Sequence, residues 1–108
     1  MEHDCLFCKI LKKEIPSESV YENENVFAFK DLYPQAKEHV LFIHKNHSKS
    51  FKDMPVDQIN QIMSAIKEYT ENISDFRIVT NIGPTGGQSV FHTHFHVLSG
   101  EQLRGFGK

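Results

Sequence analysis

The sequence lacks the features that mark a disulfide-rich, secreted or membrane-spanning chain. It has two cysteines and no tryptophan among 108 residues, and two cysteines are too few for a disulfide scaffold. Its longest apolar runs, such as residues 40–43, are far too short to span a bilayer. The first residues show no basic segment followed by an apolar stretch, as a secretory signal would. We therefore expect a cytoplasmic protein.

The charge is also nearly balanced, with a formal net charge of −2 and 24% charged residues. This composition gives no sign of a disordered tail, a nucleic-acid coat or a membrane-surface protein. A length of 108 residues with 39% apolar content suits one compact domain over residues 1–108. A phosphate-bearing partner would have to be bound by a local group of residues.

Apolar spacing and turn residues predict an α+β fold, in which helices cover an antiparallel sheet of five strands. Apolar residues at steps of three and four predict one short and one long helix, over residues 5–13 and 55–74. Strands are predicted over residues 17–22, 26–30, 38–44, 76–80 and 90–98. The short links between strands favour antiparallel pairing.

The last predicted strand carries three histidines at alternate positions, His92, His94 and His96. Alternation places them on one face with Val90 and Leu98, about 6.6 Å apart along the strand. The opposite face would then point into the core with Phe91, Thr93, Phe95 and Val97. Because each imidazole needs polar partners, such a row indicates a functional site more than core filling or three solvated side chains.

A glycine-rich loop precedes these histidines and contains Gly83, Gly86, Gly87 and then Ser89. Glycines let the backbone approach a ligand closely and expose its N–H groups. A flexible loop, a hydroxyl and an imidazole row together favour phosphorus chemistry through a histidine nucleophile. From the residues alone, a single metal ion held by all three histidines stays open as an alternative.

Residues 86–98, with the pattern His-x-His-x-His followed by two apolar residues, resemble the signature of the histidine triad (HIT) superfamily. The resemblance extends over about residues 5–100. It includes Phe7-Cys8-Lys9-Ile10, Lys13-Glu14-Ile15-Pro16, Phe29-Lys30-Asp31, Pro34-Gln35-Ala36 and His47. The uridylyltransferase branch has glutamine at the position of His96. The chain is therefore most similar to the branch of histidine triad nucleotide-binding proteins.

That resemblance implies a HIT-like five-stranded antiparallel sheet and hydrolysis at the α-phosphorus of purine nucleoside 5′-phosphoramidates. It implies that His94 forms a nucleotidyl-histidine, with His96 on the phosphate and Ser89 near the leaving group. Asp31 would bind the ribose hydroxyls and Asn81 the phosphate, and the loop residues Gly87 and Gln88 would complete the substrate site. The wall around the base would consist of Phe7, Ile10, Phe29 and Leu32. No organic cofactor is implied.

The two cysteines form a lone C-x-x-C pair, Cys5 and Cys8. By itself the pair suits half a zinc site, a redox pair or two buried thiols. Resemblance to family members with this pair implies a structural zinc ion held by both cysteines, His47 and His92. The resemblance to the family as a whole implies a homodimer with a continuous sheet.

Two other functions remain open at this point. The chain could bind nucleotides without turnover, as a sensor or interaction protein, or it could be a metallohydrolase using the three histidines. One departure from the family pattern is His44, which stands where the Pro-Lys-x-His segment usually has its proline.

Overall fold

A computed structural model describes residues 5–105 of the chain. The elements are α1 (Leu6–Leu11), β1 (Ser19–Glu22), β2 (Val26–Lys30), β3 (Glu38–His44), α2 (Val56–Tyr69), β4 (Phe76–Val79) and β5 (His94–Ser99). The strands form one sheet in the order β1-β2-β3-β5-β4, and every neighbouring pair is antiparallel. The predicted α+β fold, with one short and one long helix, is confirmed. Among the helices of the described part, none is long and apolar enough to cross a membrane.

The sheet has an apolar layer on each face, because successive strand residues point to opposite sides. One face packs against Ile62, Ala65 and Ile66 of α2, and its strand residues are Val26, Ala28, Val40, Phe42, Phe95 and Val97. The other face packs against Phe7 and Ile10 of α1, and its strand residues are Phe27, Phe29, Leu41 and Ile43. Burial on both faces explains why β2 and β3 are nearly continuous apolar runs.

Both helices are shorter than the spacing of apolar residues predicted. Pro55 is extended and only precedes α2, whose last turn closes where the Thr70 hydroxyl donates to the Ile66 carbonyl at 2.7 Å. In α1, Cys5 is the N-cap, with its Sγ accepting the Cys8 N–H, and the helix ends before Lys13, which has a φ of 64°. The end of α2 and both ends of α1 are therefore set by local hydrogen bonds and turns, which the spacing of apolar residues does not reveal.

The predicted strand over residues 90–98 was wrong at its start, because β5 begins at His94. Its partner β3 ends at His44, one residue beyond the pairing of Ile43 with His94, so residues 90–93 have no strand to pair with. They turn away instead, and Phe91 is 39% exposed rather than in the core. His92 therefore does not share a regular strand with His94 and His96. Smaller differences are the start of β1 at Ser19 and the end of β4 at Val79.

The segment before β5 is held by Thr93 and Ser48. The Thr93 N–H donates to the Ser48 carbonyl at 2.8 Å, the Thr93 hydroxyl also reaches that carbonyl at 3.1 Å, and the two hydroxyl oxygens are 2.7 Å apart. Both side chains are buried. This pair fixes the point at which the chain enters the sheet, immediately before His94.

We predict that Thr93→Val lowers the free energy of unfolding by about 1–3 kcal/mol, because it leaves the buried Ser48 hydroxyl without its partner. Urea denaturation measures the change. Thr85→Val is the matched control, since Thr85 is exposed and such a surface change should stay within about 0.5 kcal/mol. Equal effects of the two substitutions would contradict a special role for the Thr93–Ser48 pair.

Candidate functional site

One cavity of about 450 Å³ lies between α1, the end of β2, the loop after β4 and β5. We call it the central cavity. It brings together most of the residues that the sequence proposed for nucleotide binding and catalysis, namely Phe7, Ile10, Phe29, Asp31, Leu32, Asn81, Gly87, Ser89, His94 and His96. Residues from four separate segments of the chain therefore converge on one site.

The central cavity has an apolar end and a polar end. Phe7, Ile10 and Phe29 are buried in its apolar wall, and the rings of Phe7 and Phe29 meet edge to face with centroids 5.5 Å apart. Leu32 stands at the rim, 81% exposed, and is free to cover a ligand. A slot with aromatic walls suits a planar ring. The sequence missed the other apolar members of the lining, which are Leu6, Ile15, Pro16, Leu41 and Val90.

His94 is held in one tautomer. Its Nδ1–H donates to the carbonyl of His92 at 2.8 Å, so Nε2 keeps its lone pair. Burial lowers the pKa of His94, while the His92 carbonyl and the Asp31 carboxylate act in the opposite direction. A neutral imidazole with an unprotonated nitrogen in a cavity can act as a nucleophile.

His96 is oriented by a histidine that the sequence analysis missed. The Gln35 N–H donates to Nδ1 of His39 at 3.0 Å, so the proton of neutral His39 is on Nε2. That Nε2–H donates to Nδ1 of His96 at 2.8 Å. The Asp31 carboxylate lies 3.4 Å from Nε2 of His39. His96 must then carry its own proton on Nε2. The donor nitrogen of His96, a residue that lines the central cavity, is therefore Nε2.

The pKa values of both imidazoles are lowered. Burial is the main cause for each, and it brings the pKa of His96 to about 4, with further lowering by His94 and His39. The Asp31 carboxylate works against burial at both rings. The pair is consequently neutral near pH 7, and each ring has one donor and one acceptor nitrogen.

The loop after β4 is braced from within by Gln88. The buried Gln88 side chain accepts the Gly83 N–H at 2.9 Å and donates to the carbonyls of Lys49 and Val90 at 2.7 and 3.1 Å. It does not line the central cavity, so the structure does not support a direct substrate contact by this side chain. Asn81 does line the cavity, and its amide also donates to the Gly86 carbonyl at 2.9 Å. A side chain at Gly86 would collide with the carbonyl of Ile82.

A second group of side chains, which we call the Cys/His cluster, lies on the other side of Phe7. It comprises Cys5, Cys8, His47 and His92, whose ligand atoms all lie within 4.8 Å of one another. Nδ1 of His92 is 3.2 Å from Nδ1 of His47, 3.4 Å from Sγ of Cys5 and 3.5 Å from Sγ of Cys8. Sγ of Cys8 is 3.3 Å from Nδ1 of His47.

These separations fit a tetrahedral zinc ion. With ordinary zinc–nitrogen and zinc–sulfur bonds, the tetrahedron has nitrogen–nitrogen edges of about 3.3 Å and sulfur–nitrogen edges of about 3.6 Å. The Nε2–H of His92 donates to the His44 carbonyl at 3.1 Å, which leaves Nδ1 unprotonated and facing the cluster. Metal-bound histidines are commonly held by such a backbone bond. The cluster is therefore compatible with zinc.

The structure gives the three histidines of the motif different partners. His92 belongs to the Cys/His cluster, whereas His96 belongs with His39 and Asp31. Among residues 5–105, no candidate metal group contains all three of His92, His94 and His96. The proton on Nε2 of His39 also accounts for its short contact with His96 without a metal ion. The geometry thus gives no support to a catalytic metal held by the three histidines.

Sequence comparison shows the family. The HIT domain matches residues 12–103, and the chain belongs to this family. It is 39% identical over 99 residues to a HIT-like protein of Methanocaldococcus jannaschii, covering 87% of this chain and 77% of that protein. It is 40% identical over 106 residues to a maize protein named 14 kDa zinc-binding protein, covering 91% and 83%.

Solved structures agree with this placement. A HIT family hydrolase from Clostridium thermocellum has a TM-score of 0.89 at 37% identity, covering 97% of each chain. A histidine triad nucleotide-binding protein from Candida albicans has a TM-score of 0.80 at 35% identity, covering 86% of this chain and 72% of that one. The HIT-like fold expected from the sequence is confirmed.

We predict that His39 and His96 both carry their proton on Nε2 at pH 7, and that His96 stays neutral until the pH falls to about 4. Long-range proton–nitrogen spectra of the rings report both properties. The pKa of His96 in the folded protein is below the ordinary 6.5, so the unfolded chain takes up a proton more readily than the folded one. The free energy of unfolding should therefore be highest above pH 6.5 and should fall as the pH is lowered toward 4.

His39→Leu is the informative variant for this tautomer, because it removes the donor to Nδ1 of His96. In that variant His96 should populate both neutral tautomers. A wild-type His96 that titrates near pH 6.5, or that carries its proton on Nδ1, would show that the His39 contact does not orient it.

Proposed function

We propose that the protein is a nucleotide hydrolase that acts at the α-phosphorus of purine nucleoside 5′-phosphoramidates or related nucleotides through a nucleotidyl-histidine on His94. The observation that carries the proposal is the bond from His94 Nδ1–H to the His92 carbonyl. It prepares Nε2 as the nucleophile in a cavity with an aromatic slot. Related proteins described as a HIT family hydrolase and as a histidine triad nucleotide-binding protein support it.

Binding of the nucleotide would use both ends of the central cavity. The base enters the slot beside Phe7 and Phe29, and the Asp31 carboxylate accepts hydrogen bonds from the ribose hydroxyls. Asp31 is held for this role, since its Oδ1 accepts the Tyr33 N–H at 2.8 Å. Asn81 and the backbone at Gly87 line the cavity and would contact the phosphate.

In the first step, Nε2 of His94 attacks phosphorus, a nitrogen–phosphorus bond to the histidine forms and the bond to the leaving amine breaks. The amine takes a proton from the Ser89 hydroxyl, which recovers one from solvent. His96 donates its Nε2–H to a phosphate oxygen, where negative charge is concentrated in the transition state. The new imidazolium keeps its Nδ1–H on the His92 carbonyl.

In the second step, water attacks phosphorus and the bond to His94 breaks. The water oxygen stays on the nucleoside monophosphate, a proton is released to solvent, and His94 returns to its neutral form. Burial favours that neutral form, which assists departure of the histidine. Each step therefore uses a tautomer that the hydrogen bonds already hold.

We predict that His94→Gly lowers turnover of adenosine 5′-phosphoramidate by more than about a thousandfold while AMP still binds. Mass spectrometry of the denatured protein should find AMP attached through an acid-labile nitrogen–phosphorus bond in the wild type but not in His94→Gly. Lys52→Ala, at an exposed position outside the central cavity, is the control and should behave as wild type. Retained turnover in His94→Gly would refute the nucleophile. Binding without adduct or turnover for several leaving groups would favour a nucleotide sensor.

We also propose that the Cys/His cluster holds one structural zinc ion. The support is the match of its donor separations to a zinc tetrahedron and the maize relative named as a zinc-binding protein. Two thiolates and two imidazoles close the coordination shell, and such a metal stabilises the fold instead of binding substrate.

The zinc content of purified protein should be close to one ion per chain, and Cys8→Ser should lose it. His96→Asn is the matched control: it changes a histidine of the same motif outside the cluster and should keep the zinc. Elemental analysis by mass spectrometry gives both values, and chelation should lower the melting temperature of the wild type. Loss of zinc from His96→Asn but not from Cys8→Ser would place the metal on the motif instead.

We further propose a homodimer in which two sheets join through β4. This strand lies at an edge of the sheet, and its Phe76 and Ile78 are 37% and 43% exposed. An edge strand with exposed apolar side chains is a surface for pairing with another strand.

Ile78→Lys should shift the protein from dimer to monomer in analytical ultracentrifugation, because it places a charge on the joined edge. Ser19→Lys is the control. Ser19 is exposed on β1, at the opposite edge of the same sheet, and this variant should remain dimeric. A monomeric wild type, or dissociation by the β1 substitution alone, would contradict the β4 interface.

A further inference from the structure

Helix α1 serves both the Cys/His cluster and the central cavity. Cys5 caps the helix and Cys8 is in its first turn, and both sulfur atoms belong to the cluster. Between and after them, Leu6, Phe7 and Ile10 line the cavity. With six residues, the helix is too short to be stable without tertiary contacts. Anything that fixes the two cysteines therefore also fixes the apolar wall of the cavity.

His92 is a second connection between the Cys/His cluster and the central cavity, in addition to α1. The Nδ1 atom of the His92 side chain lies in the cluster, and the backbone carbonyl of the same residue accepts the Nδ1–H of His94. His92 is fully buried. A ligand that fixes this side chain thereby restrains the carbonyl that orients His94.

Phe7 fills the space between the two sites. Its ring meets those of His92, His94 and Phe29 edge to face, with centroids 5.9, 5.1 and 5.5 Å apart. Phe7 is buried, and close packing of this kind transmits small displacements instead of absorbing them. The cluster and the nucleotide wall are thus in contact through one rigid ring.

We infer that the Cys/His cluster and the central cavity are coupled binding sites, so that a divalent metal ion in the cluster strengthens nucleotide binding in the cavity. This inference rests on the proposed nucleotide site and on the proposed zinc site. The metal contributes by holding α1 and residue 92 in the arrangement that a nucleotide needs, which lowers the cost of ordering them on binding. Thermodynamic linkage requires the nucleotide to strengthen metal binding by the same factor.

The metal can exchange without passing through the central cavity. Cys8 and His47 also line a separate open cavity of about 490 Å³, together with Lys12, Lys13 and Lys45. This separate opening allows either ligand to bind first. The reciprocal effect can therefore be measured in both directions.

The test starts from the zinc-loaded protein and measures the transfer of Zn²⁺ to a competing chelator with and without saturating AMP. AMP should lower the extent of transfer, corresponding to about tenfold tighter zinc binding, within the usual range for coupled sites. The affinity for AMP, measured by calorimetry before and after removal of zinc, should change by the same factor. Circular dichroism checks that the zinc-free protein is folded. If it is not, the comparison of Phe7→Leu with Leu32→Ala distinguishes coupling through α1 from stabilisation of the whole fold by AMP.

Three outcomes distinguish a failure of the coupling from a failure of the nucleotide site or of the metal site. If AMP and zinc both bind but neither changes the affinity for the other by more than twofold, the coupling is refuted and both sites stand. If the zinc-loaded protein does not bind AMP, the proposed nucleotide site fails together with the coupling. If the protein does not bind zinc, the metal site and the coupling fail, and the nucleotide site is unaffected.

Two variants test the route through α1. Phe7→Leu should reduce the coupling factor, because it removes the ring that bridges the cluster and the cavity. Leu32→Ala, which changes the rim of the cavity away from α1, should weaken AMP binding but keep the factor near its wild-type value. An unchanged factor in Phe7→Leu, or the same reduction in both variants, would overturn the assignment of α1 and Phe7 as the connection.

Discussion

The hydrogen bond from His94 Nδ1 to the carbonyl of His92 is the contact on which the site depends. It decides which nitrogen of His94 is free, and that nitrogen is the reactive one in a nucleophilic mechanism. The bond forms where the chain enters the sheet, at the first residue of β5. The Thr93–Ser48 pair holds the chain at this point. Residues 90–93 have no partner strand, because the pairing of β3 with β5 ends at Ile43 and His94. The tautomer of His94 is thus set at the point where β5 begins.

Equal spacing along the chain does not give the three histidines equal chemistry. His92 has two cysteines and His47 beside it, His94 has the ring of Phe7, and His96 has His39. All three have lowered pKa values because they are buried, and their neutral forms are suited to different tasks. In the proposed function, His92 would bind a metal, His94 would attack phosphorus and His96 would donate to a phosphate oxygen. In each histidine, the hydrogen-bond partner of one ring nitrogen fixes whether the other nitrogen carries a proton or a lone pair.

The sequence was most informative where the controlling interactions are local. The bounds of β2 and β3 were predicted correctly, because both strands are buried on both faces and end at polar residues. The start of β5 was wrong, because its alternating pattern continues back to Val90 while pairing stops where β3 ends. His39 was missed for a related reason. Its contact with His96 arises only because β3 and β5 are neighbours, which no spacing within either segment reveals.

A metal in the Cys/His cluster could affect the chemistry only through protein geometry. Four protein ligands would complete a tetrahedral shell, which leaves no position for water or substrate, and Phe7 lies between the cluster and His94. The remaining routes are the carbonyl of residue 92 and the wall supplied by α1. Both act on the placement of groups that are already neutral and correctly protonated. A structural site of this kind would therefore change how readily the proposed nucleotide site is assembled, while the proposed reaction would still be carried out by His94 and His96.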